Sequence, residues 1–255
     1  MKDFGGLGMI FVMDVDGTIC FNGLFIEDIL HSEIQRIGKN HQIIFASARP
    51  IRDLLPVVKG FESPILIGGN GSIVSINNEV SVVKSIPINA FEYIKSLIIK
   101  NDLEYIIDGS FDYSANVNPN NKIYRQLDPD HLAKNVKIEE IDEPIKIILI
   151  NLNDDMFEMI KNNLEKYEST LSINYHKREN NIDITAQNIN KYTTLKSIIH
   201  DKPYIAYGND INDYELLKHA ETVYYVSEDN QEVPFDNVNI IQNDAYSVVE
   251  SMKHY

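Results

Sequence analysis

Short stretches that are apolar at every position alternate along the chain with segments whose apolar residues recur at helical spacing. MIFVM, ending at Met13, precedes a helical pattern from Leu24 to Ile37; QIIFA, ending at Ala46, precedes another from Ile51 to Val58; PILIG then closes the first set. The rhythm returns as PYIAY, a helical Ile211 to Lys218, TVYYV, VNIIQ and a last helix from Ala245 to Lys253. A parallel strand covered by helices on both faces is apolar throughout, not alternately. The two ends of the chain therefore predict one doubly wound, mostly parallel α/β sheet, a Rossmann-like core built from residues 1–83 and 187–255.

Between Lys84 and Ala186 the pattern changes. A helix from Ile88 to Lys100, the run EYIID, the run PIKIILINL, a helix from Met156 to Tyr167, and the runs LSINYH and NIDIT follow one another, polar on one face and joined by turns rich in Asn and Asp. This predicts an inserted α+β domain over residues 84–186, a small sheet with helices on one side. No internal repeat or low-complexity tract interrupts either part.

With 44% apolar and 24% charged residues among 255, the chain has the composition of a soluble globular protein with a substantial core. No apolar run approaches the roughly 20 residues of a membrane span. The N-terminal apolar run is broken by Asp14 and Asp16 and lacks a small-residue cleavage site, so the expectation is a cytoplasmic protein that is not exported. Cys20 is the one cysteine, which fits a reducing compartment, and the seven histidines form no HExxH, which leaves zinc without support. A net charge of −15 without a basic stripe argues against nucleic acid. It also means that an anionic ligand needs local cations or a divalent metal.

Candidate chemistry begins at the end of the first run. In open α/β sheets ligands gather beyond the carboxyl ends of the strands, and MIFVM runs straight into DVDGT. Asp14 and Asp16, two apart on an extended chain, face one side. Two such carboxylates coexist when one holds a proton or when a hard cation lies between them; taken alone, the pair also reads as a cap of the next turn. Ser47 lies just past the second strand, in SARP, and Asn209, Asp210 and Asp213 lie just past another, in GNDIND. Lys191 opens a helical stretch, where a cation opposes the helix dipole unless an anion is near; as a solvated surface lysine it needs no such partner. The glycines of GGNGS lack a following GK[ST], so they read as a tight turn before a hairpin and not as a phosphate loop.

DVDGT, SARP, GGNGS, Lys191 and GNDIND, in this order and with an insertion of this size after the third core strand, resemble the haloacid dehalogenase superfamily of phosphohydrolases in its class IIB, Cof-type branch. The resemblance implies a magnesium-dependent phosphatase acting on a small phosphorylated metabolite, a sugar phosphate or a cofactor such as a flavin or pyridoxal phosphate. It makes Asp14 the nucleophile and Asp16 the general acid and base. Ser47, Lys191 and Asn212 would bind the phosphoryl oxygens. Magnesium would be held by Asp14, by Asp16 through its backbone carbonyl, and by the GNDIND segment. There the family usually has aspartate directly after the glycine and this chain has Asn209, so Asp213 and Asp210 are the further candidate ligands.

Asn70 would face substrate. Arg49 either contacts substrate or pairs with a carboxylate, and His176 and Arg178 either reach the leaving group or sit in a solvated loop. Two other functions fit the same motifs: a phosphomutase-like sugar-phosphate enzyme, and a phosphate-binding or signalling module with a weakened metal site, which Asn209 favours.

Overall fold

The protein is described from a computed structural model covering residues 8–121, 123–228 and 237–255, with the backbone alone at 125 and 126. Five of the apolar runs become parallel strands: β1 (Ile10–Asp14), β2 (Gln42–Ala46), β3 (Ile65–Gly68), β11 (Tyr204–Gly208) and β12 (Thr222–Ser227). β13 (Val238–Gln242) adds a sixth. After β3 the chain turns back as a hairpin, β4 (Ile73–Ile76) and β5 (Glu79–Val82), whose two-residue turn, Asn77 and Asn78, takes the positive φ at both positions that a tight hairpin demands. The sheet order is β13-β12-β11-β1-β2-β3-β4-β5.

The alternation inside each buried strand sorts side chains to two cores. Phe11, Met13, Phe45 and Tyr207 pack under α1 (Asp28–Gly38), α2 (Ile51–Leu54) and α7 (Ala245–Met252). Ile10, Val12, Ile44 and Ala206 pack under α5 (Lys191–Ile199) and α6 (Tyr214–Lys218). Covering both faces is what requires every strand position to be apolar.

α1 and α2 are shorter than their periodicity predicts, and α6 begins at Tyr214 and not at Ile211, because Ile211–Asp213 forms a separate short turn. α1 starts at Asp28 and not at Leu24, because Asn22 Oδ1 accepts the N–H groups of Leu24 and Phe25 and holds that segment in a turn. α2 stops at Leu54, since Pro56 has no N–H to continue the ladder.

The second sheet lies wholly between residues 104 and 186. It is antiparallel, in the order β7-β6-β8-β10-β9, from β6 (Glu104–Asp108), β7 (Tyr113–Asn116), β8 (Lys146–Ile150), β9 (Leu171–His176) and β10 (Asn181–Ala186). α3 (Ile88–Asn101) and α4 (Asp154–Leu164) cover one face, where Ile107, Ile147, Leu149, Ile182 and Ile184 form the core. β7 was not foreseen, as YSAN is too short and polar to stand out. At the neck between the sheets the outgoing and returning chains touch, Lys84 Nζ donating to the Gln187 carbonyl at 2.7 Å; just beyond it, inside the insertion, Ile86 N donates to the Pro144 carbonyl at 2.7 Å.

Candidate functional site

Asp14 ends β1 beside Ala46 of β2, so the residues after these strands and after β11 share one rim. Just past Asp14 the chain folds back on itself, the Val15 carbonyl accepting the N–H groups of Thr18, Ile19 and Cys20. Gly17 makes this possible: its φ is +80°, and a Cβ there would lie 2.2 Å from the nearer end of the Asn209 amide. On the other side, Gly71 has φ +104°, and a Cβ would fall 2.3 Å from the Asn190 carbonyl oxygen. Thr194 Oγ1 donates to the Gly71 carbonyl at 2.7 Å, which docks the first turn of α5 on the loop after β3. Asn190 caps that helix, and Lys191 is its first residue.

Lys191 is buried and points into the rim. Its Nζ donates to Asp14 Oδ1 at 2.5 Å and to Asp213 Oδ1 at 2.6 Å. Burial opposes the charge on Lys191, but the charges of Asp14 and Asp213 outweigh it and hold the ammonium above its usual pKa. Asp213 Oδ2 accepts the backbone N–H groups of Asn209 and Asp210. Asp14 Oδ2 accepts the Thr18 hydroxyl at 2.8 Å. Burial and the neighbouring Asp213 charge push the Asp14 carboxyl upward, against the pull of Lys191 and Thr18.

The Asp16 side chain turns away from this cluster. It is 44% exposed and is gripped by Arg49, Nε to Oδ2 at 2.8 Å and Nη2 to Oδ1 at 2.5 Å, while Arg49 Nη2 also donates to the Gly23 carbonyl. Of the two expectations for Arg49, pairing with a carboxylate is the one observed, and that carboxylate belongs to the candidate site. Arg49 and Ser47 are also linked, the Arg49 N–H donating to the buried Ser47 Oγ. Asn70, in the left-handed region, donates its N–H to the Ser47 carbonyl, and its buried Oδ1 has no partner among the described residues.

The acidic metal cluster expected from sequence does not assemble. Among the described residues no three His, Cys, Asp or Glu side chains converge on a common point. Asp213 is committed to Lys191, Asp16 to Arg49, and exposed Asp210 caps the short turn Ile211–Asp213 by accepting the Ile211 N–H. Asn212 is exposed on that turn. Oxygens do meet at Asn209: one end of its amide lies 3.2 Å from Asp14 Oδ2, the Asp16 carbonyl and Thr18 Oγ1, and the nitrogen is the end that satisfies all three. With the amide turned to present its oxygen, Asp14 Oδ2, the Asp16 carbonyl and Asn209 form an oxygen-only donor set for a hard cation such as Mg2+. It carries one formal negative charge.

A cavity of 220 Å3 lies between the rim and the second sheet, walled by Asp16, Arg49 and Pro50 below and by Ile106, Asp108, Lys146 and Ile148 above. These four upper residues alternate with the helix-side core residues, so they belong to the face of the sheet that α3 and α4 leave open. Arg52, fully buried on α2, ties the two sheets together. It pairs with Asp53 and with Asp108, donates to the Phe111 carbonyl and lies 4.7 Å over the Tyr113 ring. Asp53 also accepts the Asp128 N–H. A larger cavity, 510 Å3, sits at the opposite rim, by the amino ends of β2 and β3.

Sequence reasoning missed Arg52, Asp53, Asp108 and Lys146. The signal for the last two was the charged residue at the end of an otherwise apolar run, Lys146 opening KIILI and Asp108 closing EYIID. His176 and Arg178, which it singled out, stand exposed at the β9–β10 turn, outside the cavity wall, because β9 is an edge strand and they occupy its far end.

A family model for haloacid dehalogenase-like hydrolases matches residues 11–246. Against curated proteins the chain shows no match. Among solved structures, a Thermotoga maritima protein superposes with a TM-score of 0.81 at 18% identity, over 97% of each chain. A haloacid dehalogenase-like hydrolase from Bacteroides thetaiotaomicron gives 0.80 at 16%, covering 96% of this chain and 98% of its own. A sugar phosphatase of haloacid dehalogenase subclass IIB gives 0.69 at 19%, covering 97% and 98%. Among the described residues no helix is long and apolar enough to cross a membrane.

Proposed function

The chain belongs to the haloacid dehalogenase-like hydrolases, and from that premise we propose that it is a phosphatase acting on a small phosphorylated metabolite, with residues 84–186 serving as the cap that chooses the substrate. The observation that carries this reading is the placement of Asp14: it ends a central strand, Lys191 and Thr18 orient both its oxygens, and a small cavity opens at the neighbouring Asp16.

In this reading an Asp14 carboxylate oxygen attacks phosphorus, the P–O bond to the alcohol breaks, and Asp16 delivers a proton to the departing oxygen. Asp16 then takes a proton from water, whose oxygen attacks the aspartyl phosphate and returns Asp14 as inorganic phosphate leaves. Lys191 and Ser47 hold phosphoryl oxygens, and Lys191 offsets charge at the rim. A Mg2+ ion held by Asp14, the Asp16 carbonyl and Asn209 would supply further neutralisation of the transferring group. Arg49 keeps Asp16 beside the cavity in the free enzyme and must release one of its oxygens for proton transfer.

Phosphate release from p-nitrophenyl phosphate tests the proposal. Activity that is abolished in Asp14→Asn is expected, and turnover undiminished in that variant removes Asp14 from the role. A phosphomutase-like enzyme would instead return the phosphoryl group to a sugar, and a binding module would show no turnover at all. Asp16, which a mere binder does not need, favours hydrolysis over the latter.

A further inference from the structure

The cavity between rim and cap has a charge pattern of its own. Its wall carries three carboxylates, Asp16, Asp53 and Asp108, against two cations, Arg49 and Lys146. Both cations are already committed inside the protein: Arg49 to Asp16, and Lys146 to Asp183, with Nζ 3.1 Å from Oδ2. Asp183 sits on the open face of β10, beside Ile148 in register, and its side chain is 25% exposed against 13% for Lys146. The rest of the wall is hydrocarbon: Ala48, Pro50, Ile106, Ile123, Leu127 and Ile148. At 220 Å3 the space is below the roughly 300–1,000 Å3 common for ligand pockets, which suits a small group and not a flavin.

Accepting the phosphatase reading, we propose that Asp183, by holding Lys146 in an ion pair, closes the leaving-group cavity to a second negative charge, so that the substrates are phosphomonoesters of small uncharged alcohols with hydrocarbon surface. An alcohol bearing a carboxylate or a second phosphate meets a wall with no cation to spare: Arg49 is held by Asp16, Lys146 by Asp183, and Arg52 behind the wall by Asp53 and Asp108. A neutral ring or short chain finds apolar contacts together with the Asp108 acceptor that Arg52 holds in place.

Phenyl phosphate and 4-carboxyphenyl phosphate differ by the one charge in question, and kcat/KM for each is read from phosphate release. The unaltered enzyme is expected to prefer phenyl phosphate at least tenfold. Asp183→Asn, which leaves Lys146 without its counter-ion, narrows that preference about fivefold or more through a gain on the carboxylated substrate. Lys146→Met, which removes the cation and keeps Asp183, widens it. Equal use of the two substrates by the unaltered enzyme, or a preference that neither variant moves, overturns this inference and leaves the phosphatase reading standing. No turnover of either substrate by the unaltered enzyme overturns both.

Discussion

Arg52→Met puts the connection between the two sheets to a quantitative test. Arg52 is buried from end to end and faces two carboxylates that are themselves buried, Asp53 and Asp108. Methionine keeps much of the stem's packing and removes the charge, leaving two anions facing each other without a cation. Removing one partner of a buried ion pair costs about 3–5 kcal/mol. The cost must depend on pH. Burial, with Asp108 nearby, pushes Asp53 up to about 6 from an ordinary 3.8, even with Arg52 opposing the shift. A shift of this size corresponds to about 3 kcal/mol at 1.36 kcal/mol per unit. Because the folded pKa lies above the unfolded one, the folded protein holds an extra proton between about pH 4 and 6. The favourable contribution is complete below pH 4 and is withdrawn as pH rises through about 6.

In Arg52→Met that window extends upward, so the variant's loss should be at least 1 kcal/mol larger at pH 8 than at pH 5, measured by urea unfolding. Adding Asp108→Asn should restore part of the loss at pH 8. A loss below about 1 kcal/mol at pH 8, or the same loss at both pH values, would refute the assignment of Arg52 as the counter-charge of this cluster.

Two further outcomes follow from the rim. Asn209→Asp adds a second formal charge to the oxygens of Asp14 and Asp16, and Mg2+ binding followed by calorimetry should tighten about tenfold or more; unchanged affinity would place the cation elsewhere. Gly17→Ala forces a Cβ into the Asn209 amide at a positive φ, so it should cost about 1–3 kcal/mol of stability by urea unfolding and lower phosphate release. A neutral effect on both would mean that the loop after β1 adjusts freely.

The core strands were legible because burial on both faces writes itself as unbroken apolar runs, and the ends of those runs pointed at Asp14 and Ser47. Lys191 was legible as an oddity, a cation at a helix start, and its explanation is two buried carboxylates. Which carboxylate answers which cation was not legible. Asp213 was expected at a metal and is bound to Lys191, and Asp16 was expected beside Asp14 and is turned to Arg49; these pairings join segments far apart in the chain, and nothing local specifies them. The cap residues were obscured for a related reason. KIILI is apolar at four successive positions after Lys146, so its sequence does not mark its faces; only the packing of α3 and α4 on Ile147 and Leu149 decides that Lys146 and Ile148 look toward the rim.

The contact of Lys84 with Gln187 has a consequence for how such a molecule changes over time. Since departure and return lie side by side there, everything threaded between them is inserted like a graft on one stem. Closing the loop costs the lower half little more for a long insert than for a short one, as the penalty grows only with the logarithm of length. In the proposed reading, replacing the graft while keeping the stem would redirect the chemistry to other molecules without reworking the groups that perform it.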